Sequence, residues 1–480
     1  MNNYINNDTI AAISTPVGVG AIAVIRMSGA GSVKVLDCFF RHSANTVISH
    51  RTCVYGHIYD NGELIDDVMV AYYKSPESYT GEDMVEISCH GSVYIQQTIL
   101  DLMVRNGARL ALPGEFTFRA YRNGKLDLAQ SEAVSELITS ENKKSHDIAI
   151  SQLKGRYSSR IKSLRDKLVE LLSLLELELD FSEEDVEFAK RDEFMALLNT
   201  IESELKSLVY SFDLGNALRN GIPVTIIGKP NVGKSTLLNC LLEEDKAIVS
   251  DIPGTTRDTI EDVINISGYV FRFIDTAGLH KTDDIVENMG IERTMEKVRN
   301  AKIILHVVDA TNADMDSIKR EITEFQSYLH EDASTSSSKK WIVVVNKIDK
   351  AENMGNCRQC TNDICDKDAK SIVGDSAPDL IFISAKKCEN TRAISDMLCD
   401  YVKSQDIDSR TIVTNVRHVE AMREALVAIR SACKGFEDGI PTDLIAIDVH
   451  HASYSLGSII GEISNNELLD SIFGHFCIGK

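Results

Sequence analysis

Residues 222–236 read IPVTIIGKPNVGKST, and this stretch decides the fold of the middle of the chain. A β-prone run precedes the pattern GxxxxGKS, and a helical pattern follows it. Backbone N–H groups of such a loop can surround a phosphate, helped by the N-terminus of the helix that begins near Lys234. The ammonium group of Lys234 would reach the β- and γ-phosphates of a nucleotide, and the Ser235 hydroxyl would ligate Mg²⁺. The stretch therefore predicts a nucleoside triphosphate site between a strand and a helix.

Further motifs after this loop specify the base. Residues 275–278 (DTAG) follow a predicted strand, where an Asp can hold the Mg²⁺ shell and a Gly can swing toward a γ-phosphate. In residues 346–349 (NKID), the Asp349 carboxylate can accept two hydrogen bonds from N1–H and N2–H₂ of guanine, which adenine lacks. In residues 384–386 (SAK), the Ala385 N–H can donate to guanine O6. The order and spacing match GTPases of the broad Ras-like class, so we predict GTP rather than ATP.

We predict that GTP contacts residues of all these motifs and of the loop between the first two. The phosphate loop and the following loop supply Asn231, Val232, Gly233, Lys234, Ser235, Thr236, Ser250, Asp251, Ile252, Pro253, Gly254, Thr255 and Thr256. The later motifs supply Asp275, Thr276, Ala277, Gly278, Asn346, Lys347, Ile348, Asp349, Ser384, Ala385 and Lys386.

The residue after the DxxG motif differs from that of Ras-type enzymes. In those enzymes a Gln at this position orients the attacking water, whereas this chain has Leu279. Either hydrolysis is very slow, or another residue positions the water. The side-chain carbonyl of Asn231 could ligate a monovalent cation that offsets charge in the transition state. The alternative is that Asn231 only shapes the loop.

Composition limits the partners and the cellular location. The formal net charge of the 480-residue chain is −21, whereas chains that bind nucleic acid mainly through phosphates are usually basic. A nucleic-acid target would therefore need a partner or a local basic patch. No apolar run is long enough to cross a bilayer, and the opening residues MNNYINNDTI resemble neither a secretion signal nor a transit peptide. We therefore expect a cytoplasmic protein without a membrane partner.

The cysteines predict a reducing compartment. Their number is 11 and their positions are scattered, which favours free thiols. Cys357, Cys360 and Cys365 lie close together and could form part of a metal site. Because that cluster lacks a paired second half and a nearby His, loop thiols are favoured over zinc.

Proline and glycine divide the chain into segments of different composition. Before Pro113, short β-prone runs alternate with glycine-containing turns, which predicts a small mixed α+β domain. Between Pro113 and Pro223 there is no proline, and apolar residues at helical spacing predict long helices. Strand–loop–helix units follow Gly221, and helical composition returns from about Asp408. The strand candidates are residues 21–27, 52–59, 67–73, 83–88, 222–227, 269–274, 303–308, 341–345 and 380–383.

We therefore predict a multidomain α+β and α/β protein, in which an α/β domain with a parallel sheet interrupts a helical domain. The first and last helical segments should pack together.

Three blocks outside the nucleotide motifs point to a family. They are residues 8–16 (DTIAAISTP) with 25–29 (IRMSG), residues 112–133 (LPGEFTFRAYRNGKLDLAQSEA) and residues 476–480 (FCIGK). Together with the nucleotide motifs, they closely resemble the tRNA modification GTPase family MnmE, also called TrmE, over nearly the whole chain. The resemblance implies an N-terminal tetrahydrofolate-binding and dimerisation domain at residues 1–125 and a discontinuous helical domain at 126–216 and 406–480. It places an inserted Ras-like P-loop G domain at residues 217–405.

The resemblance also implies an activity. Members of the family work as homodimers with a flavoprotein partner, MnmG, in a heterotetramer-type complex. The pair adds a carboxymethylaminomethyl or aminomethyl group to C5 of the wobble uridine, position 34, of certain tRNAs. A 5,10-methylene- or 5-formyltetrahydrofolate supplies the one-carbon unit, FAD and NADH act on the partner, and GTP hydrolysis requires K⁺ and Mg²⁺. A partner that carries much of the tRNA binding would explain the acidic charge.

The resemblance assigns further roles residue by residue. For K⁺ it implies Asn231, Ser250, Ile252 and Thr255, and for Mg²⁺ it implies Ser235 and Thr256. Glu287 matches the glutamate that positions the attacking water, and it joins Asn231 and Lys234 in hydrolysis. For folate it implies Arg26, Glu86, Lys125 and Lys480, each of which would alone be interpreted as part of a surface ion pair. Cys477 resembles a cysteine that the modification needs, and the alternative is a small buried thiol.

Two other functions stay open at this point. A ribosome-assembly GTPase would share the G domain but end in a basic RNA-binding module, and the tail after Asp408 is not notably basic. A folate-dependent one-carbon transferase with another acceptor would share the folate residues, so only analysis of tRNA separates it from the function that the resemblance implies.

Overall fold

The computed structural model describes most of the chain, and the residues fall into two compact units. Described are residues 8–43, 48–180, 191–245, 262–274, 298–311, 320, 321, 323, 325, 339–350, 379–404, 412–463 and 466–479. The first unit comprises residues 1–139, 149–209 and 416–480, and the second comprises residues 140–148 and 210–415. Within the described ranges, no helix is both long and apolar enough to cross a membrane.

The strands, in chain order, are β1 (Ile10–Ile13), β2 (Ile22–Ser28), β3 (Phe40–His42), β4 (Thr52–Asp60), β5 (Glu63–Tyr73), β6 (Met84–His90), β7 (Arg109–Leu110), β8 (Ile222–Ile227), β9 (Asp262–Ile266), β10 (Tyr269–Phe273), β11 (Ile303–Asp309), β12 (Lys340–Asn346) and β13 (Asp379–Phe382). The helices are α1 (Ser32–Phe39), α2 (Val93–Arg105), α3 (Glu115–Arg122), α4 (Leu128–Ile138), α5 (Lys143–Leu153), α6 (Arg156–Asp180), α7 (Arg191–Asn220), α8 (Lys234–Asp245), α9 (Arg392–Ser404), α10 (Val416–Glu437), α11 (Thr442–Ile460) and α12 (Asn466–Gly474). Every strand that the sequence predicts overlaps one of these. The sequence does not predict strands β1, β3, β7 and β9.

A seven-stranded sheet organises the amino-terminal part of the first unit. Its strands lie in the order β3-β4-β5-β6-β2-β1-β7, and neighbours are antiparallel except β1 and β7. Inward-facing residues such as Ile25, Val70 and Ile87 are fully buried in one cluster with apolar residues of α1 and α2. The predicted mixed α+β fold of this region is confirmed.

Long helices form the rest of the first unit. A capping box begins α4, because the Asp127 carboxylate accepts from the Gln130 N–H at 2.8 Å and Gln130 Oε1 accepts from the Asp127 N–H at 2.9 Å. Apolar residues at helical spacing on α6, such as Leu168 and Leu175, are fully buried, and α6 packs against α11. The first and last helical segments of the chain therefore pack together, as predicted.

A buried charged cluster ties these segments to each other. The Glu132 carboxylate of α4 accepts from Arg417 Nη2 at 2.8 Å and lies 2.7 Å from His418 Nε2, both on α10. The ring of Tyr157, which is 1% exposed, stacks on His418 at 5.3 Å between centroids. Burial opposes the charge of Glu132, but the two basic neighbours prevail and lower its pKa to about 2.

A six-stranded, mostly parallel sheet organises the second unit. Its strand order is β13-β12-β11-β8-β10-β9, and only β9 runs antiparallel to its neighbour. The central strands are mostly apolar, and Val343, Val344 and Val345 are fully buried, which is typical of a parallel sheet. The carboxyl ends of β8, β11, β12 and β13 lie at one edge, where α/β sheets bind their ligands.

A hydrogen bond in the second unit joins α7 to the residues that precede α10. The N–H of Val413 donates to Ser211 Oγ at 3.2 Å, across 202 residues of sequence. Elsewhere in this unit, Cys240 and Cys388 form a disulfide with their Cα atoms 6.1 Å apart. The prediction of free thiols is therefore wrong for this pair, because the fold brings together two positions that are 148 residues apart. The other described cysteines are free.

Candidate guanine nucleotide and one-carbon sites

The phosphate loop joins β8 to α8. Gly228 has a φ of +141°, and a Cβ atom there would lie 2.2 Å from the carbonyl oxygen of Val307, so the position requires glycine. Asn231 has a φ of 62°, also in the left-handed region. Lys234 begins α8, and its Nζ donates to the carbonyl oxygens of Gly228 at 2.8 Å and Lys229 at 2.7 Å. The ammonium group therefore lies over the loop, where it can hold a phosphate oxygen.

Asn346 connects the phosphate loop to the loop that follows β13. The residue is 2% exposed. Its Nδ2 donates to the Val232 carbonyl at 2.8 Å, and its Oδ1 accepts from the Ala385 N–H at 2.9 Å. Ala385 is the residue whose N–H is predicted to bind guanine O6. One buried side chain thus fixes the phosphate loop relative to the loop after β13, residues 383–391, which we name the base-binding loop after its predicted guanine contact.

Lys347 adds a second link to the phosphate loop. It has a φ of 67°, and its Nζ donates to the Asn231 carbonyl and to Asp309 Oδ2, both at 2.6 Å. Burial opposes the charge of Asp309, but hydrogen bonds from Lys347 and Thr311 prevail and lower its pKa. Sequence reasoning missed Asp309. Its place at the carboxyl end of β11, opposite Asn346 in register, is the feature that could have identified it.

A hydrogen bond from Ser384, which follows β13, orients Asp349. Ser384 is fully buried, and its Oγ donates to Asp349 Oδ1 at 2.8 Å. A carboxylate has several lone-pair sites, so this bond orients Asp349 and leaves capacity for the N–H groups of guanine. Ile348 donates its N–H to the Ile383 carbonyl at 3.3 Å, and Lys386 is exposed on the same loop. The structure thus brings the described residues of the NKID and SAK motifs together beside the phosphate loop.

Many predicted residues lie outside the described part of the chain. They are Ser250, Asp251, Ile252, Pro253, Gly254, Thr255, Thr256, Asp275, Thr276, Ala277, Gly278, Leu279, Glu287, Cys357, Cys360, Cys365 and Lys480. Of the predicted ion ligands, Asn231 is exposed on the phosphate loop, and Ser235 follows Lys234 on the first turn of α8. The K⁺ and Mg²⁺ sites stay predictions. Among the described residues, no group of His, Cys, Asp and Glu is arranged to hold a metal ion.

In the first unit, Arg26 of β2 and Glu86 of β6 face each other on neighbouring strands. Arg26 Nη2 lies 2.7 Å from Glu86 Oε1, and their side chains are 16% and 22% exposed. The guanidinium group also lies 5.4 Å from the ring centroid of Tyr79 and 5.7 Å from that of Phe116. The two predicted folate residues thus form one partly buried ion pair beside two aromatic rings. Sequence reasoning did not single out either ring.

The carboxyl-terminal segment packs against the same part of the sheet. The Gly479 carbonyl accepts from Ser14 Oγ at 3.3 Å, and a Cβ atom on Gly479 would lie 2.5 Å from the Ile13 carbonyl. Both contacts lie at the end of β1, in which Ala12 pairs with Arg26 of β2. The FCIGK motif therefore lies close to the Arg26–Glu86 pair.

Cys477 and Lys125 flank this region. Cys477 is exposed, so the alternative of a small buried thiol is wrong, and its carbonyl accepts from the Gly114 N–H at 3.4 Å, close to Phe116 in sequence. Lys125 is exposed, and its Nζ donates to the Pro76 carbonyl at 3.1 Å, on the segment that leads to the ring of Tyr79. The described folate candidates and Cys477 therefore lie in the same unit, on segments that contact each other or neighbouring strands.

Comparison with known proteins assigns the family. The profile described as GTP-binding protein TrmE N-terminus matches residues 9–125, and that of the MnmE helical domain matches residues 128–477. A tRNA modification GTPase MnmE of Flavobacterium johnsoniae is 47% identical over 482 residues, which cover 99% of this chain and 100% of the relative. The chain belongs to the MnmE family. Members of the same name from Cytophaga hutchinsonii and Porphyromonas gingivalis are 42% and 44% identical, over 99% of this chain and 98% of each relative.

Likeness to solved structures is weaker and carries no argument of its own. The crystal structure of the G domain of the T. maritima FeoB iron transporter covers 38% of this chain and 98% of its own, at a TM-score of 0.24 and 22% identity. A variant of SsGBP covers 44% of this chain and 70% of its own, at a TM-score of 0.27 and 19% identity.

Proposed function

We propose that this chain is the GTPase of a tRNA-modifying pair. With the flavoprotein MnmG it would add a carboxymethylaminomethyl or aminomethyl group to C5 of the wobble uridine of certain tRNAs. The names of relatives that match 99% of the chain support this proposal, since they are tRNA modification GTPases. The observation that carries the nucleotide part is the Asn346 bridge between the phosphate loop and Ala385.

At the phosphates, the proposal gives separate roles to Lys234, Ser235 and Asn231. From its position over the loop, Lys234 would neutralise the β- and γ-phosphates, and Ser235 and Thr256 would hold Mg²⁺ through their hydroxyl groups. Asn231 suits K⁺ because Lys347 fixes its backbone while its side chain, with a hard oxygen donor, is exposed on the loop. The remaining K⁺ ligands of the proposal are Ser250, Ile252 and Thr255. A bound K⁺ would supply positive charge for the transition state, and Glu287 would position the water.

The Arg26–Glu86 region is the proposed tetrahydrofolate site. A pterin needs a planar surface and a carboxylate for its N–H edge, and a glutamate tail needs cations. The rings of Tyr79 and Phe116 and the carboxylate of Glu86 meet the first two needs. Lys125 and Lys480 would meet the third, while Arg26 holds the Glu86 carboxylate in place beside the pterin. Tetrahydrofolate supplies the one-carbon unit when bound, and the exposed thiol of Cys477 lies in the same region, which supports its part in the modification.

The proposal also includes the assembly. A net charge of −21 disfavours extensive phosphate contacts by this chain alone. MnmG, which carries FAD and uses NADH, therefore supplies much of the tRNA surface, and two copies of this chain join it in the cytoplasm in a heterotetramer-type complex.

The test uses an MnmE-deficient bacterial strain complemented with the wild-type chain, with Arg26→Ala or with Arg105→Ala. Arg105 is a matched control, because it forms an ion pair with Asp60 at 2.8 Å in the same unit but is 52% exposed. Modified wobble uridine is measured by mass spectrometry of tRNA nucleosides. We expect wild type and Arg105→Ala to restore it, and Arg26→Ala to reduce it about tenfold or more, since charge-assisted bonds are lost.

The outcomes separate the competing functions. If the wild-type chain restores no modified uridine although it binds tetrahydrofolate in vitro, the acceptor is not tRNA and the one-carbon transferase with another acceptor is favoured. If it binds no folate and instead corrects a ribosomal-subunit defect, the ribosome-assembly GTPase is favoured.

A further inference from the structure

Two cysteines of the second unit meet between the elements that hold the nucleotide. Cys240 lies on α8, the helix that begins with Lys234 and Ser235, and is 3% exposed. Cys388 is exposed on the base-binding loop, just after Ala385. Their Cα atoms are 6.1 Å apart, within the range that disulfides span, and the two sulfur atoms are bonded. The bond therefore joins the phosphate-binding helix to the loop that recognises guanine.

The base-binding loop is tightly held on both sides of Cys388. The backbone groups of Ser384 and Glu389 exchange two hydrogen bonds of 3.1 Å, and the Ser384 hydroxyl also binds Asp349. Cys388 and Asn390 have φ values of 51° and 62°, which residues other than glycine adopt at some cost. A covalent link at Cys388 thus acts on the backbone that presents the Ala385 N–H, and on the serine that orients Asp349.

We propose that Cys240 and Cys388 form a reversible thiol–disulfide pair that sets how firmly the chain holds guanine nucleotide. This inference goes beyond the proposed tRNA modification and needs only nucleotide binding. The oxidant is a low-molecular-weight disulfide of the glutathione class.

The exchange proceeds in two balanced steps. The exposed Cys388 thiolate attacks one sulfur of the small disulfide, forms a mixed disulfide and releases the first small thiolate, which takes up the proton that Cys388 lost. The Cys240 thiolate then attacks the Cys388 sulfur, forms the protein disulfide and releases the second small thiolate, which takes up the proton from Cys240. Two protein thiols are oxidised, and one small disulfide is reduced to two thiols. Excess small thiol reverses both steps.

The bonded form holds nucleotide longer. In the dithiol form, hydrogen bonds alone hold the base-binding loop, and guanine binding must remove the motion that these bonds leave, at a cost in entropy. The disulfide removes part of that freedom before binding, and such preorganisation mainly slows dissociation. We expect GDP release to be about three- to tenfold slower from the oxidised protein, the range expected when one or two groups are ordered in advance.

The experiment uses the full-length chain equilibrated with reduced or with oxidised glutathione. Digestion without reductant and mass spectrometry detect the Cys240–Cys388 peptide, and displacement of a fluorescent GDP analogue gives the release rate. Cys388→Ser is the main variant, because Cys388 is exposed and the substitution leaves the core intact. Cys399→Ala is the matched control, since Cys399 is a free buried cysteine on α9 of the same unit.

The expected result is a linked peptide and slower release in oxidised wild type and Cys399→Ala, with a single release rate for Cys388→Ser in both conditions. The proposal is overturned if oxidation yields no linked peptide, if wild type releases GDP equally fast in both states, or if Cys388→Ser keeps the difference. None of these results bears on tRNA modification, whose failure in the complementation test would in turn leave this proposal intact.

Discussion

Replacing Asn346 with alanine tests how the two halves of the nucleotide site are held together. The substitution removes the hydrogen bonds from Nδ2 to the Val232 carbonyl and from the Ala385 N–H to Oδ1. A buried polar group that loses its partner costs about 1–3 kcal/mol. Both groups lie on loops that water can partly reach once the side chain is gone, so we take about 1 kcal/mol for each. The sum, about 2 kcal/mol, corresponds to roughly 30-fold weaker GTP binding.

Calorimetric titration with a non-hydrolysable GTP analogue measures this loss. Asn220→Ala is the matched control, because Asn220 ends α7 in the same unit, is exposed and donates to Asn216 Oδ1, one helical turn away, at 2.6 Å. Circular dichroism and thermal unfolding of both variants establish that the fold is retained. If folded Asn346→Ala binds the analogue within threefold of wild type, the bridge does not organise the site and the reasoning is refuted.

Three further outcomes are expected. Replacing Gly479 with alanine would place a Cβ atom 2.5 Å from the Ile13 carbonyl, so the FCIGK segment should leave the sheet. Wobble-uridine modification should then fall about tenfold, while GTP hydrolysis is retained. An equal loss of both activities would contradict a local effect. The pKa of Glu132 is about 2, below its unfolded value, so its ion pairs contribute stability of about 3 kcal/mol above pH 4.5 that is lost as the pH falls toward 2. Urea unfolding should show Glu132→Gln less stable than wild type at pH 7, with a gap that narrows toward pH 3; a constant gap would contradict the assignment. GTP hydrolysis should be faster in K⁺ than in Na⁺ buffer, and Asn231→Ala should abolish the difference, whereas equal rates for wild type in both salts would rule out a potassium site.

The sequence predicts those parts of the fold and site that depend on local patterns. The phosphate loop, the NKID motif and the SAK motif each carry their chemistry within a few consecutive residues. The central strands of the second unit are six or seven residues long and mostly apolar, which is enough for a pattern to emerge. The same holds for the helical spacing of leucines on α6.

Contacts between distant segments could not be predicted in this way. Arg26 and Glu86 pair because of the register between β2 and β6, which no single stretch of sequence encodes. Asp309 binds Lys347 because parallel strands bring their carboxyl ends to one edge. The pairing of Cys240 with Cys388 is likewise absent from any local pattern, since the two positions are 148 residues apart.

The hydrogen bond between Val413 and Ser211 affects how readily the segment between them can gain or lose residues. Because this bond holds the two ends of the intervening segment together, the segment acts as a short connection between the helices on either side of it, although its ends are 202 positions apart in sequence. Residues can be gained or lost inside that segment without moving the two points where it begins and ends. Evolution, or an engineer, could therefore lengthen or shorten the segment and leave the helices that flank it in place.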